Sequence, residues 1–127
     1  MARIVDNNLI LKRSWGEIRY AVRSNGNMPA KRYIENLSHK ERIRLENLLE
    51  KMAEIGEINN IEKFRKLEDN IYEFKSNQHR TPCFQVSNSW VLTHGFIKKR
   101  GKTPRKEIKR AKEIMEEHLE RGERRKK

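Results

Sequence analysis

The chain has 127 residues, with 30 Lys and Arg against 18 Asp and Glu, for a formal net charge of +12. That length fits one domain with a core that needs no disulfide or metal, and the lone cysteine, Cys83, excludes a disulfide framework and most cysteine metal sites. The charge excludes an acidic disordered tail and makes a polyanion the expected partner, whether DNA, RNA or an anionic membrane.

The first sixteen or so residues read as an N-terminal extension. Their only apolar patch, Leu9-Ile10-Leu11, is too short for the core of a signal peptide. No apolar run approaches the ~20 residues that span a bilayer. With one cysteine and no such segment, a reducing cytoplasm is the expected location. Ile18, Tyr20 and Val22 then alternate with Glu17, Arg19 and Arg23, the period of a half-buried strand. Ser24-Asn25-Gly26-Asn27 turns the chain. Pro29 suits the first turn of a short helix whose apolar face is Ala30, Tyr33, Ile34 and Leu37. Ser38 and Glu41 form a capping box, in which each side chain reaches an unpaired backbone N–H. The helix it opens carries the stripe Leu45, Leu48, Leu49 and Met52, read as core, and Gly56 can end it in the left-handed conformation.

The texture changes after Asn60. Lys66-Leu67 and Ile71 to Phe74 read as strands around a turn at Glu68-Asp69-Asn70. Arg80 to Val86 is a further extended run, in which Pro82 demands an edge or a bulge. Trp90 to Phe96 is β-rich and mostly apolar, so it reads as the central strand, with Trp90 and Phe96 in the core. Lys98 to Lys102 is a basic loop. Thr103 caps a last helix with Pro104 at its first position and Ile108, Ala111, Met115 and Leu119 on its buried face. The tail from Gly122 is expected to fray. The order predicts a single α+β domain: a small, mostly antiparallel sheet with two N-terminal helices and one C-terminal helix.

The charge is local. Residues 98–112 hold nine bases and one acid, Glu107, so fifteen residues carry +8 of the +12. One acid among nine bases reads as a surface that neutralises phosphates. His39, His79, His94 and His118 form no metal-ligand motif, and no Gly-rich phosphate loop or serine triad occurs. No metal or cofactor is therefore expected. RNA can be cut without a metal: a base removes the 2′-OH proton, cations stabilise the charge on the phosphorane, and an acid protonates the leaving oxygen.

His94-Gly95-Phe96-Ile97-Lys98-Lys99, followed by Lys102-Thr103-Pro104, Glu107-Ile108 and Ala111, resembles the ending of RelE-superfamily toxins, closest to the HigB-like, often phage-borne, branch. Ile71-Tyr72-Glu73-Phe74-Lys75 resembles that family's LWELR strand, with Lys75 where arginine is usual, and Arg80 resembles the arginine of its next strand. The likeness runs from about Pro29 to Leu119. It implies a RelE-like fold and a toxin that enters the ribosome and cleaves mRNA without a metal until a helix-turn-helix antitoxin neutralises it. On that reading Arg80, Lys75 and Lys99 act on the scissile phosphate with His94 as acid or base, and Lys98, Lys102, Arg105 and Lys106 bind RNA. The tyrosine that some relatives use near the C-terminus has no counterpart here. Two other readings stay open: a toxin of the same fold that inhibits DNA gyrase (the ParE branch), and a non-enzymatic nucleic-acid-binding module.

Overall fold

The computed structural model describes residues 7–126. The elements run β1 (Leu9–Lys12), β2 (Glu17–Tyr20), α1 (Pro29–Glu35), α2 (His39–Ile55), β3 (Phe64–Glu68), β4 (Ile71–Ser76), β5 (His79–Val86), β6 (Ser89–Leu92), β7 (Phe96–Ile97) and α3 (Arg105–Lys126). One sheet holds the strands in the order β1-β2-β6-β5-β4-β3, and β7 pairs with β5. Among the described residues the pairing is antiparallel except between β2 and β6, which run parallel.

The local rules account for α2. The Ser38 hydroxyl accepts the Glu41 N–H at 3.2 Å, and the Glu41 carboxylate accepts the Ser38 N–H at 3.3 Å. Gly56 ends the helix at φ 91° and donates its N–H to the Met52 carbonyl at 2.7 Å. Only glycine fits that left-handed position, and the Trp15 ring lies 2.4 Å from where a Cβ would stand. Leu45, Leu49, Met52 and Ala53 of α2 bury one sheet face, against Ile18, Phe64, Phe74, Cys83, Trp90 and Leu92. On the opposite face Ala111 and Ile114 of α3 cover Ile71, Phe84 and Val91. Helices thus flank both faces of the sheet. No helix among the described residues is long and apolar enough to cross a membrane.

Five expectations change. The N-terminal extension lies partly outside the described residues, but Leu9–Lys12 is a sheet strand paired with β2. The run Trp90 to Phe96 is not one strand: β6 ends at Leu92, the chain leaves the ladder over residues 93–95, and β7 follows. Pro82 explains that break. It lies in an interior strand, opposite Glu73 of β4, and its other side faces the gap between β6 and β7. There its carbonyl accepts the Thr93 N–H at 2.9 Å, and its missing N–H leaves no donor for the ladder. Gly95 completes the break by admitting the Tyr33 ring, which lies 2.2 Å from where a Cβ would stand. Thr103, expected as a helix cap, donates its hydroxyl to buried Glu73 at 3.0 Å. The last helix continues through Gly122 to Lys126 rather than fraying there.

Candidate functional site

Strand register assembles a cationic cluster on the sheet face that α3 covers only in part. In a strand, alternate side chains share a face, and cross-strand partners share it too. Lys75 of β4 stands opposite Arg80 of β5, Arg65 of β3 stands opposite Glu73 of β4, and Phe96 of β7 stands opposite Arg80. Glu73, Lys75, Arg65, Arg80 and Phe96 therefore lie on one face, the face of Ile71. Lys98 joins them: its N–H donates to the Gln78 carbonyl at 2.8 Å, which ties the start of the basic loop to the β4–β5 turn.

Like charges directly opposite each other on a sheet are unfavourable, and the cluster bears that mark. Burial first, then the charges of Arg65 and Arg80, lower the Lys75 ammonium below its usual range, with Lys98 adding to the effect. Lys75 also donates to the Ile61 carbonyl at 3.1 Å. One buried anion sits beneath the cations. Glu73 is 0% exposed, accepts the Thr103 hydroxyl, and pairs with Arg65 at 3.8 Å. Arg80 is held in place by carbonyls: it donates to Asn77 at 2.6 Å and to His79 at 3.1 Å. Asn77 presents that carbonyl from φ 57°, a left-handed turn position that asparagine tolerates. The Nε atoms of Arg65 and Arg80 are buried without a hydrogen-bond partner. Three strands thus bring cations together around Lys75 with one buried carboxyl group beside it, an arrangement that can hold an anion and lend it a proton from Lys75.

Of the residues singled out from sequence, Lys75, Arg80 and Lys98 come together. Lys99, Lys102 and Lys106 are exposed farther along the loop and first helical turn. Arg105 turns to Glu68, which it meets at 2.5 Å, and Lys112 pairs with the same carboxylate. The two cations hold Glu68 down to about 2. His94 is not placed for acid–base work: it is 1% exposed, Nε2 meets Glu107 at 2.9 Å and Nδ1 meets the Thr93 hydroxyl at 3.0 Å. It fastens α3 to the gap between β6 and β7. Sequence reasoning missed Arg65 and Glu73. The signal was there, since Arg65 sits two residues before Leu67 in a strand that pairs with Glu73, but it needed the register.

The family model described as "Phage derived protein Gp49-like (DUF891)" matches residues 32–116, well over half of the chain. The chain belongs to that family. The Gp49-like segment contains Arg65, Glu73, Lys75, Arg80, Phe96 and Lys98, so the whole cluster lies within it. It begins inside α1 and leaves out β1 and β2, which nonetheless complete the Gp49-like sheet here. No curated protein matches the chain significantly.

Across the sheet a second polar group joins α1, α2 and β5. Tyr33 and the Nδ1 of His79 are 2.5 Å apart, and the His79 Nε2 meets Glu41 at 2.9 Å. Burial and the Glu41 charge push the Tyr33 phenol up to about 12, so it stays a hydrogen-bond donor. The group lines a cleft of about 1230 Å³ between α1 and α3. Among the described residues no three His, Cys, Asp or Glu side chains converge as a metal would require.

Two histidines make α3 docking acid-sensitive. Burial lowers His94 to about 4, against the pull of Glu107. Burial also lowers His118, which accepts the Val22 N–H at 2.9 Å and meets Phe84 edge-on. A histidine lowered in the folded state binds fewer protons there than in the unfolded chain. Its contribution is therefore complete above the unfolded value of about 6.5 and declines as pH falls toward the folded value. Urea midpoints should drop between pH 7 and pH 5, and His94→Gln should flatten that drop. A pH-independent midpoint over this window would refute the assignment.

Proposed function

We propose that this Gp49-like protein is the toxin of a toxin–antitoxin pair, of the RelE superfamily and its HigB-like branch, and that it cleaves mRNA on the ribosome without a metal. The observation that carries the reading is the convergence of Arg65, Arg80 and Lys98 on Lys75, with buried Glu73 beside it. Phosphoryl chemistry asks for that arrangement: fixed cations where negative charge develops, and a group of tuned proton affinity beside them. Lys75 takes the acid–base part that the burial of His94 leaves empty. The ribose 2′-oxygen attacks phosphorus and gives up its proton to a base. Arg80, Arg65 and Lys98 stabilise the phosphorane. The bond to the 5′-oxygen breaks and that oxygen takes a proton, leaving a 2′,3′-cyclic phosphate and a 5′-hydroxyl. Lys99, Lys102 and Lys106 extend the basic surface toward ribosomal RNA. An antitoxin with a helix-turn-helix fold would be its neutralising partner.

The deciding experiment mixes the purified protein with mRNA, with and without ribosomes, after chelator treatment of the protein at a magnesium level that keeps ribosomes intact. Ribosome-dependent cuts ending in cyclic phosphate are expected. Intact mRNA together with blocked DNA supercoiling would move the assignment to the gyrase-inhibiting branch. A separate check addresses the loop. Replacing Lys98 and Lys99 together by alanine should weaken ribosome binding and flatten its log–log salt dependence by about one unit per lost phosphate contact. Unchanged affinity and slope would mark both lysines as solvated surface.

A further inference from the structure

We propose that Phe96 is a stacking platform for one unpaired base of a single-stranded nucleic acid whose phosphates lie on the Arg80, Lys75 and Lys98 cluster. The inference rests on the reading of that cluster as a phosphate site and adds the class of strand it takes. From sequence, Phe96 reads as core. In the fold it belongs to neither hydrophobic cluster and stays half-buried, whereas Trp90, the other aromatic of that run, is 5% exposed within the core.

Its position is set by register. Phe96 pairs with Arg80, so the ring and the guanidinium share a face. Lys98, two residues on, returns to the same side. Behind the ring stands His94, stacked on it at 5.8 Å and 24°. His94 is itself pinned by Glu107 and Thr93, so the platform is backed by a fixed wall rather than a mobile side chain. A half-buried aromatic ring beside three cations combines the two features that hold single strands: charge that follows the backbone and a flat apolar surface for a base. A duplex satisfies only the first, because its bases are stacked on one another. Stacking tolerates any base, so the platform confers preference for unpaired strands rather than for a sequence.

The test uses the full-length protein and three fluorescein-labelled probes: a short 2′-O-methyl oligouridylate, which cannot be cut, an abasic strand of equal length and charge, and a duplex RNA. Fluorescence anisotropy gives the affinities, and urea midpoints confirm folding. Phe96→Ala should bind the oligouridylate about tenfold more weakly and the abasic and duplex probes as the parent does. Phe96→Tyr should restore the loss, and Phe96→Leu serves if the alanine variant fails to fold. The Arg80→Ala, Lys98→Ala double variant should weaken all three probes alike. If folded Phe96→Ala binds the oligouridylate like the parent while the double variant binds every probe weakly, stacking is overturned and the phosphate site stands. If the parent binds none of the probes, or the double variant binds all of them undiminished, the phosphate site fails and the platform falls with it.

Discussion

Arg80→Ala should slow ribosome-dependent cleavage by about 10²–10³-fold, the usual effect of removing one preorganised group that meets developing charge. Ribosome affinity should fall far less, because only an interaction stronger in the transition state than in the ground state accelerates the step. Two observations point to this split. The guanidinium is already oriented by the Asn77 and His79 carbonyls, so no reorganisation is needed when charge appears. It also acts on Lys75, whose ammonium it helps to lower. Without Arg80, the Lys75 pKa should rise toward its ordinary value, and the basic limb of the pH–rate profile should move to higher pH. Single-turnover rates and binding constants, measured together across pH, check both parts. Equal losses in rate and affinity, with an unshifted profile, would reduce Arg80 to a binding residue.

Glu73→Gln should cost stability on the order of 1–3 kcal/mol, the scale for a buried polar group that loses its charge while its cationic partner stays half-exposed. The carboxylate is fully buried, and it is the counter-charge beside Arg65 and Lys75. Glutamine keeps the shape and can still accept the Thr103 hydroxyl, so the loss isolates charge from packing. Added phosphate should recover part of it by supplying the missing anion from solution. Adding Arg65→Met should recover more, and the coupling in that double-mutant cycle measures the pair directly. A Glu73→Gln protein with the parent's urea midpoint would show that the cations need no buried counter-charge.

How far the sequence carried depended on the range of the interaction. The capping box at Ser38, the stripe of α2, the left-handed Gly56 and the close strands from Phe64 onward rest on neighbours a few residues apart, and all are in the fold. The α+β class and the mostly antiparallel sheet follow from them. What was lost needed pairing across the chain. Leu9–Lys12 looks like a loose patch until β2 offers it an edge. The break after Leu92 is invisible in an apolar run, because its cause lies in Pro82 on the adjacent strand. The site divided the same way. Lys75, Arg80 and Lys98, chosen by type and motif, stand together in the fold. Arg65 and Glu73 join the candidate cluster only through register, and the burial of His94 is not written in a motif. Phe96 was taken for core because its neighbours are apolar.

The parallel pairing of β2 with β6 also sets the order in which the molecule can assemble. Glu17 and Ser89 meet across a separation of 72 residues, and two helices and three strands must be in place between them. The hairpins β3–β4 and β4–β5 close over short loops and can form as soon as they are made. The β1–β2 hairpin also closes over a short loop, but it cannot dock, since its seat on β6 does not exist until Leu92 has been synthesised. Closing so long a loop delays the reward for its entropy, which places β1 and β2 late on the folding route. Until then the β6 edge is open, and a nascent chain paused there presents an unpaired strand to its surroundings.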